Sequence, residues 1–221
     1  VYGRAFFPIV AGVFSEQGFE RVGMVLYTRM VAEISMGAYA VHAVCMNFCD
    51  FYYQFAGGLG KASMVQSGQA HGAGDPLRWR SQLFEALRWG FFFSCIAFCL
   101  TALLREPIFQ IYTADASLLP MGTVILLFVA VVSFPEAHQL IAAGALRGVG
   151  MTTHVAVYSF VSIALLRPLL TAFFLYVLDM GLVGAWCALA IDQFLRAGAA
   201  SALLWRYARR QQRMAEVKAL P

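Results

Sequence analysis

Charge is what this sequence has least of. Asp, Glu, Lys and Arg make up 13% of its 221 residues, about half the share usual in soluble domains. So few charges cannot cover the surface of a water-soluble globule, which points to a membrane protein. Cysteine is sparse as well. Cys45, Cys49, Cys95, Cys99 and Cys187 all fall inside apolar segments. No His or carboxylate completes a metal set at close spacing, so they read as buried thiols. A Walker phosphate loop is missing, and no nucleophile–base pair stands out. Neither ATP-driven work nor an enzyme is expected, and no organic cofactor. No basic stretch, short apolar core and cleavage site precede the first long apolar segment, so no signal peptide is expected. The first residue is Val1, not Met, and a fragment is expected.

What is abundant is apolar surface: 61% of residues are hydrophobic and the mean hydropathy is +0.70. A helix crosses the roughly 30 Å of hydrocarbon with about 20 residues. Six such spans are predicted, at about 6–31, 38–66, 83–104, 119–146, 153–178 and 182–205. The stretch AGGLGKAS is expected to loosen the second. The link after it, SGQAHGAGDPLRWRSQ, reads as a loop and a short amphipathic segment. The fold class is all-α, with a six-helix membrane unit over 1–206 and a basic tail over 207–221. Basic residues gather on alternate links and in the tail, which holds Arg209, Arg210, Arg213 and Lys218. Topology explains the net charge of +4 better than nucleic acid does. The positive-inside rule puts both ends of a multi-pass protein in the cytoplasm. The tail is expected to rest on anionic membrane lipid.

A charge at membrane depth costs at least about 2.5–3.5 kcal/mol, so it faces protein or a watery cavity. Glu16 and Glu20 on span one, Asp50 on span two, Glu136 on span four and Asp192 on span six qualify, although Glu20, followed by Arg21, reads first as a structural ion pair. Glu16 and Glu136 each lie about ten residues from the cytoplasmic side, or about 15 Å, half the hydrocarbon thickness. Two carboxylates on different helices thus share the midplane, where transporters tend to bind substrate and coupling ions. Pro135, beside Glu136, frees a carbonyl one turn earlier. That carbonyl needs a partner from protein or cavity water. A desolvated carboxylate there binds a proton or a cation readily. The alternative is a structural ion pair of Glu136 with Arg21, Arg29 or Arg196. For Asp192, an intrahelical pair with Arg196 is the simpler account. Asn47, Asp50 and Gln54 share a face, and Asp50 is a cavity candidate. His42 and His138 read as hydrogen-bonded buried side chains before proton relays. The aromatics of DFYY and GFFF read as packing or lipid-facing residues before a platform for a flat cation. Gly144, Gly148 and Gly150 allow close helix approach and a sharp turn.

The Glu16-Gln17 pair, LYTRMVAEISMGAYAVHAVCMN, GGLGKASMVQSGQAHGAGD, IYTADASLL, FPEAHQLIAAGALRGVG, RPLL and GLVGAWCALAIDQFLR follow one another over nearly the whole chain. In this order and spacing the chain resembles the C-terminal half of the multidrug and toxic compound extrusion (MATE) family. The resemblance implies one lobe of a twelve-helix transporter, with an N-terminal lobe outside this chain. It implies an antiporter exporting drug-like or toxic small molecules, organic cations among them, driven by sodium or proton entry. It implies ion coupling at Glu16 and Glu136, the second standing where some members carry Asp. A sodium ion at either would be the only metal. Gln17, Asn47, Asp50 and Gln139 become candidate cavity residues, although Asp50 and His138 depart from the family pattern. Two other readings stay open: a flippase for a lipid-linked precursor, and a helical membrane protein that only binds partners.

Overall fold

A computed structural model of the chain describes residues 18–112 and 115–218, without the side chains of 214–218. Every regular element among them is helical. Helix α1 is described over 18–32. It is followed by α2 (Met36–Gly72), α3 (Pro76–Tyr112) and α4 (Leu119–Gly148). Helix α5 spans Thr152–Val177 and α6 Gly181–Lys218. Among the described residues, four stretches are long and apolar enough to cross a membrane: Pro76–Tyr112, Ala116–Gly148, Thr152–Val177 and Gly181–Arg213.

The expectation of six spans is met for four: α2 falls short in hydropathy, and the span expected at 6–31 lies partly outside the described residues. Helix α2 has the length, but Asp50, Gln54 and Lys61 turn one side of it toward a cavity. That polar side lowers its hydropathy. The AGGLGKAS stretch does not loosen α2 either, since the helix runs unbroken through it. Its glycines bring backbones together. A Cβ added to Gly60 would stand 2.7 Å from the Leu140 carbonyl oxygen of α4. The expected loop before span three shrinks to a turn at 73–75, with Gly74 at φ +66°. Asp75 then accepts a hydrogen bond from the Arg78 N–H at 2.9 Å, and Pro76 supplies the rigid first position of α3. The expected amphipathic segment is thus the first turns of α3. The basic residues after Trp205 continue α6.

Helix α4 runs through the middle. Its first half enters one core cluster and its second half another. Ile125, Leu126, Val129 and Val132 meet Tyr27, Val41 and Trp186. Ile141, Ala142, Ala145 and Leu146 meet Trp79, Leu83, Val155 and Leu204. Close contact, not exclusion of water, holds helices together in lipid. The seam between α2 and α4 shows this, with glycine opposite glycine at Gly60 and Gly144. Gly150 at φ +85° ends the helix in the expected sharp turn. Near Pro135, two hydroxyls bond carbonyls on either side of the one that proline leaves without its helical donor. Ser133 donates to the Ala130 carbonyl at 2.7 Å, and Ser94 of α3 donates to the Ser133 carbonyl at 3.0 Å.

Candidate functional site

A cavity of about 620 Å³ opens between α1, α2, α4, α5 and α6. Each helix presents one stripe to it, spaced three or four residues apart as a helical face requires. Helix α2 offers Asp50, Tyr53, Gln54, Gly57 and Lys61; α4 offers Glu136, Leu140, Gly144 and Arg147. Helix α6 adds Leu189, Gln193 and Arg196, α1 adds Glu20, Arg21 and Met24, and α5 adds Arg167.

Glu136 is 6% exposed. Its Oε1 accepts one hydrogen bond, from the Gln193 side-chain amide at 3.3 Å. Two of its three expected ionic partners are engaged elsewhere. Arg29 pairs with Glu33 at 3.5 Å on an exposed face, and Arg196 pairs with Asp192 at 3.4 Å. The third, Arg21, shares the cavity wall. Among the described residues, no lysine or arginine forms an ion pair with Glu136. A buried carboxylate held by a neutral amide has much to gain from a cation or a proton.

The strongest polar cluster is one that sequence reasoning half missed. The Asp192–Arg196 pair is present as expected, but Arg167 of α5 is the larger partner. Arg167 is 4% exposed and Asp192 0%. The Arg167 Nε donates to Asp192 Oδ2 at 3.0 Å, its Nη2 bonds the same oxygen, and Ser162 bonds Oδ1. Its remaining nitrogen, Nη1, contacts the Met24 sulfur at 2.9 Å. The signal was available: Arg167 sits in the middle of VSIALLRPLLTAFFL, where an unpaired cation would be costly.

The other expected site residues sort as follows. Glu16 and Gln17 lie outside the described residues. Asp50 lines the cavity. Asn47 is exposed away from the cavity wall, and Gln139 is buried without reaching it. His138 stands two positions from Glu136, about 200° around the helix, and bonds Ser201 of α6 at 2.7 Å. His42 lies edge-on between the rings of Tyr27 and Trp186, at 5.4 and 5.8 Å. Of the aromatics in DFYY and GFFF, only Tyr53 lines the cavity, while Phe51, Phe91 and Phe92 are exposed on the outside. The five thiols are free, and no group of three His, Cys, Asp or Glu among the described residues can hold a metal ion.

Residues 8–173 match the MatE family model. The probable multidrug resistance protein NorM of Chromobacterium violaceum is 34% identical over 168 residues, which is 74% of this chain and 36% of that protein. The multidrug resistance protein NorM of Vibrio cholerae is 29% identical over 159 residues, 72% of this chain and 34% of that protein. The chain thus spans about a third of the length of these curated relatives. Among solved structures, a MATE in the bent conformation superposes with a TM-score of 0.83 at 11% identity, over 96% of this chain and 48% of that one. An inward-facing multidrug resistance MATE family transporter of the MOP superfamily gives 0.82 at 12% identity, over 90% of this chain and 46% of that one. At such identities the superpositions speak for the fold alone.

Proposed function

This chain belongs to the MatE family, and on that premise we propose that it is the C-terminal lobe of an antiporter that exports drug-like or toxic organic compounds in exchange for sodium ions or protons. The lobe is multi-pass, with both ends in the cytoplasm and its missing N-terminal partner across the cavity. The cavity side holds the substrate, and Asp50 and Glu136 give it two carboxylates for an organic cation. Glu136 is the coupling residue. One observation carries this: a buried carboxylate on the cavity wall whose bonded partner is the Gln193 amide. Entry of a cation or proton neutralises Glu136 and weakens its hold on a cationic substrate. The wall then favours release, and exchange follows from competition for one carboxylate. Glu16 is proposed as the second coupling residue from the family resemblance, and Pro135 as the point where α4 bends.

The same wall gives the flippase reading a specific support. Arg21, Lys61, Arg147, Arg167 and Arg196 all face the cavity, more basic residues than the spans suggested. Asp192 engages two of them, and Arg147 has a partner as well.

The test is efflux of ethidium from cells expressing the whole protein, with Glu136 and with Glu136→Gln. Efflux is expected to fall at least tenfold in the Gln variant at equal membrane abundance, the scale on which removal of one coupling charge acts. Unchanged efflux would make Glu136 structural. A native protein that moves no cation but moves a fluorescent lipid between leaflets would support the flippase instead.

A further inference from the structure

On the side of α4 opposite the cavity lies a second concavity, a groove of about 580 Å³ between α3 and α6. Its walls are apolar, with Leu77, Phe84 and Leu87 on one side and Leu204 and Trp205 on the other. No carboxylate lines it, and the one charged group that does is Arg80. Arg209 joins Arg80 at this end of the helices, its guanidinium 3.6 Å from the centre of the Trp205 ring. Trp79 and Tyr207 make an edge contact at 4.8 Å, and Tyr207 also bonds His71 at 2.8 Å. Tryptophan, tyrosine and arginine gathered at one level of a membrane helix bundle mark the headgroup region. The groove runs inward from that level. Arg80 to Leu87 is seven residues, about 10 Å along α3, and the His138–Ser201 pair lies within it.

We propose that this groove binds one anionic phospholipid, with an acyl chain between α3 and α6 and the phosphate against Arg80 and Arg209. The charge pattern selects the ligand. A zwitterionic lipid would fill the apolar part equally well but gains less from two arginines beside a groove without carboxylates. The inference rests on the membrane placement of the fold and not on what the cavity transports.

Native mass spectrometry of the whole protein in detergent tests it, with phosphatidylglycerol and phosphatidylcholine of the same chains as probes. The first phosphatidylglycerol is expected to bind about thirtyfold more tightly than phosphatidylcholine, the factor two arginines near a phosphate contribute together. The double variant Arg80→Gln with Arg209→Gln should lose that preference. Ser81→Phe, which fills the groove from an exposed position, should lose the first site for both lipids. Equal binding of the two lipids, a preference that survives the double variant, or an intact first site in Ser81→Phe would each overturn the proposal. Binding is read without transport, so a protein that binds the lipid yet moves no ethidium counts against the exporter and leaves the groove standing.

Discussion

Gly144→Ala is expected to remove about 3 kcal/mol or more of stability, and with it most of the folded protein at the membrane. A Cβ at Gly144 would stand 2.1 Å from the Gly60 carbonyl oxygen and 2.8 Å from its carbon. Those atoms are backbone, so no rotamer change relieves the clash and α2 must move off α4. The same displacement opens the seam around Gly148, where a Cβ would meet the Met64 carbonyl oxygen at 2.3 Å. Contacts along a helix pair in lipid are lost together, because dispersion falls steeply with distance. Gly58→Ala is the control. It lies on α2, two residues from Gly60, with nothing within 4 Å of the added carbon, and alanine there is expected to stabilise by up to about 1 kcal/mol. Thermal unfolding in detergent and membrane abundance check both. A Gly144→Ala protein as stable as the native one would show that the seam is wider than the structure has it.

The second large effect is at Asp192, where the order of damage is the informative result. Asp192→Asn leaves Arg167 and Arg196 buried without their shared counter-ion. Breaking a buried pair this way costs about 3–5 kcal/mol. Arg167→Leu is expected to cost less, because Arg196 remains at 3.4 Å and a one-to-one pair survives. Arg167→Lys should not rescue it fully. Arginine uses two nitrogens on Asp192 and a third on Met24, and a single ammonium cannot match that fork. Melting temperatures of the three variants give the order. If Arg167→Leu proves more damaging than Asp192→Asn, the cluster depends on Arg167 for something other than charge balance.

Helices α2 to α6 were legible from apolar runs alone, and α4 agrees with its expected limits almost to the residue. The interruptions were harder. In α2 the pair of glycines at 57 and 58 reads as a weak helix. Only a partner helix from 80 residues later explains Gly60, and spacing within one segment carries no such information. Depth along the chain placed Glu136 well inside the bilayer without identifying its neighbour, since Gln193 lies 57 positions away. The polar face of α2 was readable as a face, but its orientation was not. Asp50 and Gln54 reach the cavity and Asn47 does not. Arg167, a cation flanked by apolar residues on both sides, carries as conspicuous a signal as the acids do. Phe160–Leu166 and Phe173–Val177, where α5 is wound wider than an α-helix, had no visible signal.

Those stretches give α5 a mechanical property. Phe160–Leu166 and Phe173–Val177 are π-helical, and Arg167–Ala172 between them is α-helical. A π turn closes its hydrogen bond over five residues rather than four, so it winds the helix wider. Arg167 stands on the short α-helical length between two such widenings, held to Asp192 like a stem clamped in a collar.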